Sequence, residues 1–561
     1  MDLSGRVRVL KSELRRRKVF HVAGAYGALG IAISIAVPDL FGAFQFPPWA
    51  APLVIIIIAI GFPIALVLAW AYELKPEAGD AAAPANVGKN DSSLPDSEHP
   101  RNRIAILPLE NYSPDEGDRY FADGMTEELI SVVSRIKSLE VIARTSVMVY
   151  KDVKTSITDI AKELSVGAIL EGSVRRDRDA LRITVQLIET ATSTHLWAED
   201  YDRDLSDIFQ VQRDIARRVA EALEVRLLEK DEEQIGKTPT EDLQAYDYYL
   251  IGRHHLNTRT DESLRKALEY FQRAITADPN FALPVAGQSE ALLFSGLGYS
   301  VDPPENALSK AAEAAARAVE LDDSLPEAHV ALAFARMHTL DLSAAKEAVA
   351  KALELNPGHA QAHQAHGWTL FCTGDYEGAI AAYDRALALD PKSFVLMTES
   401  GWPYGYLGRH DTAIERYRAA LEMAPGFALA QYDIGWALQR MGKLEEAIHA
   451  YEEALTMSGG AAFVRAWLAT AYVEVGRESE ARQILADLSE EWREGDPVGC
   501  MLAVVHEALG EKKEAIEALE KAYDAMEPSI LWAGRTSEFC SFDTLRDQPR
   551  YQELMRRIDG S

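Results

Sequence analysis

Residues 360–391 read AQAHQAHGWTLFCTGDYEGAIAAYDRALALDP, and their pattern returns every 34 residues. Ala311, Ala345, Ala379, Ala413, Ala447, Ala481 and Ala515 keep that step without a slip. Pro357, Pro391 and Pro425 keep it too, Gly459 continues it, and Gly374, Gly408, Gly442, Gly476 and Gly510 mark a turn inside each unit. An earlier unit with Ala267, Phe271, Ala274 and Pro279 is offset by ten residues, because GYSVDPPENA lengthens the next turn. A self-repeat of this period is the mark of stacked helical hairpins. Small residues such as Gly367 and Ala379 let the two helices of a unit approach. Tyr376 and Tyr383 fill the space between units, and the proline ends the second helix. No unit buries its apolar face alone, so stacking makes one continuous core.

The unit is similar to the tetratricopeptide repeat, in eight copies over residues 242–528, and SFDTLRDQPRYQELMRRIDG within 529–561 resembles the solvating end-cap of such arrays. In that family the first helix of each unit lines a concave groove. The resemblance therefore assigns partner binding to the aromatics at one repeat position, Phe334, Trp368, Trp402 and Trp436, joined by Phe371, Tyr406 and Tyr432. Packing against neighbouring helices is the alternative use of the same rings. The peptide-carboxylate clamp of some family members needs Lys and Asn at these sites. The aromatics here point instead to an apolar or extended peptide segment.

Upstream, RIAILPLEN (103–111) is a buried-strand run closed by a turn, and YFADGMTEELISVVSRI (120–136) an amphipathic helix, with Glu127 and Glu128 placed in its first turn as dipole-complementing groups. LEVIARTS and SITDIAKELSV add a strand and a helix. Leu181, Ile183, Val185 and Leu187 then alternate with Arg182, Thr184 and Gln186, which predicts a strand with one buried face. A long helix from LSDIFQVQRDIARRVAEALEVRL closes the segment. The order β-α-β-α-β-β-(β)-α over 103–230 predicts a small mixed sheet covered by helices. Nearly all of 104–220 resembles the TolB-like amino-terminal domain that bacteria place before tetratricopeptide arrays. That resemblance implies a regulatory or scaffolding role linked to the envelope, and it brings no catalytic residues with it.

The 561 residues carry a formal net charge of −29, which repels phosphate backbones and argues against nucleic acid as a partner. Positive charge gathers in residues 1–18, and residues 19–37 and 49–72 carry no formal charge. Each of these two segments is long enough to cross a bilayer as a helix. The flanking basic residues place both ends of a 19–72 hairpin in the cytoplasm. Residues 73–102, rich in Pro, Ala, Ser and Asp, read as a flexible linker. The expected fold class is therefore multidomain: a two-helix transmembrane hairpin, a small α/β mixed-sheet domain of TolB amino-terminal type, and an all-α tetratricopeptide solenoid. The expected location is the bacterial inner membrane, multi-pass, with the lipid bilayer as one partner and the folded domains cytoplasmic.

No catalytic constellation emerges. Asp123, Glu127 and Glu128 are acidic but sit where capping groups sit, and His195 beside Trp197 has no identifiable partner. Gly236–Lys237–Thr238 ends like a phosphate loop, yet it lacks the preceding glycine and strand. His359, His363 and His366 share a helix without a cysteine or carboxylate to complete a metal site. Cys372, Cys500 and Cys540 form no CxxC. No enzyme activity, cofactor or metal is expected. The expected function is a membrane-anchored protein-interaction scaffold, in bacterial signalling or envelope assembly, binding proteins or peptides through the array. The alternatives are a regulatory component of class III nucleotide cyclase signalling and a periplasm-facing TolB-type envelope component.

Overall fold

The computed structural model describes residues 99–114, 118–299, 306–339, 341–525, 527, 529, 530 and 542–559. The chain divides into two units, 1–94 and 95–561, and every described residue belongs to the second.

The sheet is built from β1 (Arg103–Ile106), β2 (Glu110–Asn111), β3 (Glu140–Val141), β4 (Ala168–Asp177), β5 (Ala180–Glu189) and β6 (Thr194–Asp204), in the order β3-β1-β4-β5-β6 with β2 also beside β4. Strand β1 runs parallel to β3 and β4, whereas β4, β5 and β6 form antiparallel hairpins. Pro108 has no N–H to give a ladder, so β1 and β2 are one line interrupted there. The Leu107 and Tyr112 amides, on either side, still donate to the Leu170 and Val174 carbonyls of β4. The alternation read along β5 is real: Leu181, Ile183, Val185 and Leu187 are buried. Helices α1 (Arg119–Ser134) and α4 (Ile208–Ala222) pack on each other and on the sheet, with α2 (Arg144–Met148) and α3 (Ile157–Leu164) in the connection to β4.

After α5 (Glu229–Gly236) the described residues form helices and short connections only, with the helices in pairs. The first four pairs are α6 (Leu243–Leu256) with α7 (Asp261–Ala277), α8 (Ala282–Phe294) with α9 (Ala307–Leu321), α10 (Pro326–His338) with α11 (Leu342–Leu355), and α12 (Ala360–Cys372) with α13 (Tyr376–Leu389). The inner helix of the fifth is broken into α14 (Phe394–Glu399) and α15 (Trp402–Tyr406), with Pro403 in the first turn of α15, before α16 (His410–Met423). There follow α17 (Ala428–Arg440) with α18 (Leu444–Ser458), α19 (Ala462–Glu474) with α20 (Glu478–Glu494), and α21 (Gly499–Ala508) with α22 (Lys512–Asp524); α23 (Pro549–Asp559) lies against α22.

The 34-residue step has a steric cause. A Cβ at Gly367, Gly401 or Gly435 would stand 3.0, 2.4 or 2.7 Å from the ring of Tyr383, Tyr417 or Tyr451, each fully buried on the second helix of the same pair. The turn glycines Gly374, Gly408, Gly442, Gly476 and Gly510 all have φ between 71° and 81°, the left-handed region that other residues enter at a cost.

The mixed sheet and the all-α repeat region thus stand as expected, but the fold class needs one correction. A crossing helix needs about 20 mostly apolar residues. Among the described residues no helix is long and apolar enough to cross a membrane, since the array helices carry polar faces. The hairpin expected over 19–72 lies outside the described residues. The fold class is corrected to a small mixed sheet with an all-α array, and the two-helix transmembrane hairpin, the multi-pass inner-membrane location and the bilayer as partner have no spanning helix among the described residues to rest on.

Sheet domain and array are not beads on a string. Positions 322, 356 and 390, one repeat apart in the loops that close successive units, each hold the residues before the array. Asp322 faces Lys237 Nζ at 3.5 Å, Asn356 donates to Ser134 Oγ at 3.0 Å, and Asp390 accepts from Ser146 Oγ at 2.5 Å. Arg385 pairs with Glu140 and Lys392 with Glu163, both at 2.7 Å, while the Ala143 amide donates to the Leu389 carbonyl. The Lys of the rejected phosphate-loop motif is thus a fastening of this interface.

Candidate functional site

The docked sheet domain lays α1 along the inner helices of the array. Gly124 makes the approach possible, since a Cβ there would meet Leu250 Cδ2 of α6 at 2.8 Å. Because α1 begins at Arg119, Glu127 and Glu128 lie in its body and not in its first turn, and their role as capping groups is corrected. They point at the array. Glu127 is held by Arg253, by Arg144 Nε at 3.1 Å and by Asn257 Nδ2 at 3.1 Å. Arg253 also pairs with Glu290 of α8 at 2.9 Å. Glu128 accepts from the Tyr249 hydroxyl at 3.1 Å, and Ser131 donates to Glu327 Oε1 of α10 at 2.7 Å.

Between α1 and the inner helices α6, α8, α10, α12 and α14 lies a cavity of about 250 Å³. Leu283, Phe294, Val330, Phe334 and Trp368 form its apolar wall; Glu127, Glu128, Glu290, Glu327 and Glu399 stand against two guanidiniums, Arg253 and Arg259. Burial, then the charge of Glu127, pushes the Glu128 carboxyl up to about 7. Burial does the same to Glu399, which accepts from Gln364 Nε2 at 2.9 Å. Burial also raises Glu327, but the charges of Arg135 and His359 outweigh it and hold that carboxyl below its ordinary value. Burial takes His338, 4.8 Å edge-on from the Trp368 ring, down to about 4.

The seven aromatics selected from the sequence separate into two groups. Phe334 and Trp368, ring centroids 6.3 Å apart, are half-buried and line the cavity. Phe371, Trp402, Tyr406 and Trp436 are packed on one another inside the array, with Phe371–Tyr406 at 4.8 Å and Tyr406–Trp436 stacked at 5.6 Å. Trp402 Nε1 donates to Asp433 at 2.9 Å, and Tyr432 is buried edge-on against Phe463. The acids of the cavity were missed as a set. Glu290, Glu327 and Glu399 lie on three different inner helices, and only their common repeat face could have signalled that they converge.

Elsewhere, His195 lies exposed on β6, and His363 Nε2 meets the Pro357 carbonyl at 2.9 Å. A wider cleft opens at the C-terminal end of β1 between Tyr112, Val153 and Glu171. Its buried acid, Asp123, is already held by Lys151 and His254.

Family models described as tetratricopeptide repeat match residues 330–394, 400–462, 438–498 and 500–525. The chain is 38% identical over 241 residues to "Putative adenylate cyclase 3" of Rhizobium meliloti, covering 42% of this chain and 41% of that one. It is 36% identical over 80 residues, 14% of each chain, to the transcriptional regulator HilA of Salmonella typhimurium. The chain thus spans about two fifths of the first relative and a seventh of the second. Among solved structures, the thermophilic TPR protein TTC0263 of Thermus thermophilus aligns at 21% identity over 35% of this chain and 99% of its own, with a TM-score of 0.30. Residues 330–525 carry tetratricopeptide repeats.

Proposed function

We propose that this chain is an interaction scaffold whose partner enters the cavity between α1 and the inner helices of the array. The observation that carries the reading is the cavity itself: half-buried Phe334 and Trp368 facing buried carboxyls, at a place where two parts of the chain converge. Aromatic walls with a few polar groups are what recognition sites use. The resemblance of 104–220 to TolB-like amino-terminal domains supports a scaffolding part for the sheet. The test is quantitative capture from extracts of the source cells on immobilised full chain, compared with Trp368→Ala. A specific partner recovered by the parent and lost by the variant is expected. Equal recovery on both would remove the cavity as the binding site.

A second reading is favoured by the cyclase relative: the chain works with a class III nucleotide cyclase, through the 241 residues it shares with that protein. Cyclic AMP output from a cyclase mixed with the purified chain would change on this reading, and an unchanged output would count against it.

A further inference from the structure

Five carboxyls line the cavity, and they are not equivalent. Glu127 and Glu290 are neutralised by Arg253, with Arg144 adding a second cation on Glu127. Glu128, Glu327 and Glu399 form no ion pair with any described residue. Their hydrogen-bond donors are neutral: the Tyr249 hydroxyl, the Ser131 hydroxyl and the Gln364 amide. Glu128 and Glu399 are only 6% and 9% exposed. Glu327 Oε2 is buried and accepts no hydrogen bond from a described residue. Arg259 lies with its guanidinium carbon 4.3 Å from the centre of the Phe294 ring. Buried acids without a cation are costly, and a positive group placed among them gains both charge pairing and charge-assisted hydrogen bonds.

We propose that this cavity binds a single cationic group, an alkylammonium or guanidinium, held by Glu128, Glu327 and Glu399 with Phe334 and Trp368 as its aromatic wall. The inference rests on the reading of the cavity as the ligand site and names what it selects. A volume of about 250 Å³ suits one long basic side chain or a small amine. Indole and phenyl faces attract cations, indole most strongly. An acidic group meets Glu128, Glu327 and Glu399, none of them in a direct ion pair with a described residue, and is refused. The carboxylate recognition of clamp-type repeats is here reversed in sign.

The cation has two sources, a free amine or the arginine or lysine of a partner, and calorimetric titration of the full chain separates them. The probes are agmatine, spermidine, a blocked glycine pentapeptide with central arginine, and the same peptide with citrulline, which keeps the shape and loses the charge. Binding of agmatine or spermidine alone identifies a free amine, and binding of the arginine peptide identifies a partner's side chain; either upholds the proposal. The citrulline peptide is expected to bind at least about tenfold more weakly than the arginine peptide. Glu128→Gln and Glu399→Gln keep shape and hydrogen bonds, so each is expected to lose about tenfold in affinity with no fall in thermal midpoint. Equal binding of the arginine and citrulline peptides, or no heat from any cation, would overturn the proposal. A partner still lost in Trp368→Ala would in that case leave the scaffold reading standing.

Discussion

Phe334, Trp368, Trp402 and Trp436 stand at one repeat position, yet the two halves of the array use that position differently. Along α10 and α12 the ring looks toward α1, which stands back and leaves a cavity, so Phe334 and Trp368 are walls. Along α15 and α17 the ring meets the neighbouring unit and becomes core. Gly405 occupies the place that Phe371 holds one repeat earlier, and a Cβ there would lie 2.7 Å from the Trp436 ring. Trp402 is fixed by the buried Asp433. Repeat position decides where a side chain points; the neighbour decides whether it is core or site.

The contrast is broken most directly by truncation. Trp436, 1% exposed, fills space that nothing else can take, so Trp436→Ala is expected to cost about 4 kcal/mol. Trp368→Ala opens an existing cavity and is expected to cost below about 1 kcal/mol while losing partner capture. Urea unfolding of the full chain, followed by far-ultraviolet circular dichroism, measures both. Similar losses for the two would mean that the halves are packed alike and that the cavity wall is core.

The acids of the cavity sharpen the same contrast through pH. Glu128, with Glu127, Arg135, Glu327 and Tyr249 around it, and Glu399, with Gln364 and Arg259, keep their protons to about 7 in the folded chain. Unfolded, they release them near the ordinary 4.5. The folded state therefore holds more protons across that window, and the stability from these groups is lost as pH rises from 4.5 to 7. The loss is on the order of 3 kcal/mol per group. The Glu128→Gln/Glu399→Gln double variant is expected to flatten the profile and to be more stable than the parent at pH 8, as a site that trades stability for binding should be. A difference between parent and double variant that stays flat between pH 4.5 and 8 would show that these carboxyls are not held uncharged.

Much of this was legible and the rest had a reason to be hidden. The turn glycines, the small residue at Gly367 and the alternation of Leu181 to Leu187 are local or periodic, so spacing alone reveals them; Tyr383, expected between units, packs on Gly367 of its own pair. The docking of the sheet on the array pairs residues far apart in the chain, such as Ser146 with Asp390, through side chains common on any surface. Nothing in their spacing marks them. The aromatic position was legible as a position, but its two uses depend on α1, whose contact with the array is of that hidden kind. Glu127 and Glu128 were read as capping groups although they lie two turns inside a helix expected from residue 120, because the array they face is not visible in the local sequence.

The smallest expected effect tests whether the fastenings at 322, 356 and 390 are interchangeable. Asp390 accepts from Ser146 Oγ, which in turn accepts from the Lys392 amide at 2.8 Å, while Asn356 does comparable work one unit earlier. Burial pushes the Asp390 carboxyl up to about 6, and the ion pairs that fasten the same interface, Lys392 with Glu163 and Arg385 with Glu140, are made among themselves. Its folded value lies above the ordinary 3.8, so its contribution is whole below 3.8 and is lost as pH rises through 6. An asparagine keeps the acceptor and drops the charge. Asp390→Asn is therefore expected to change stability by less than about 0.5 kcal/mol at pH 4 and to stabilise the chain at pH 8. If the variant instead loosens the sheet domain at both pH values, measured as faster amide exchange in α2 and β3, the charge itself holds the interface, and positions 356 and 390 are not equivalent.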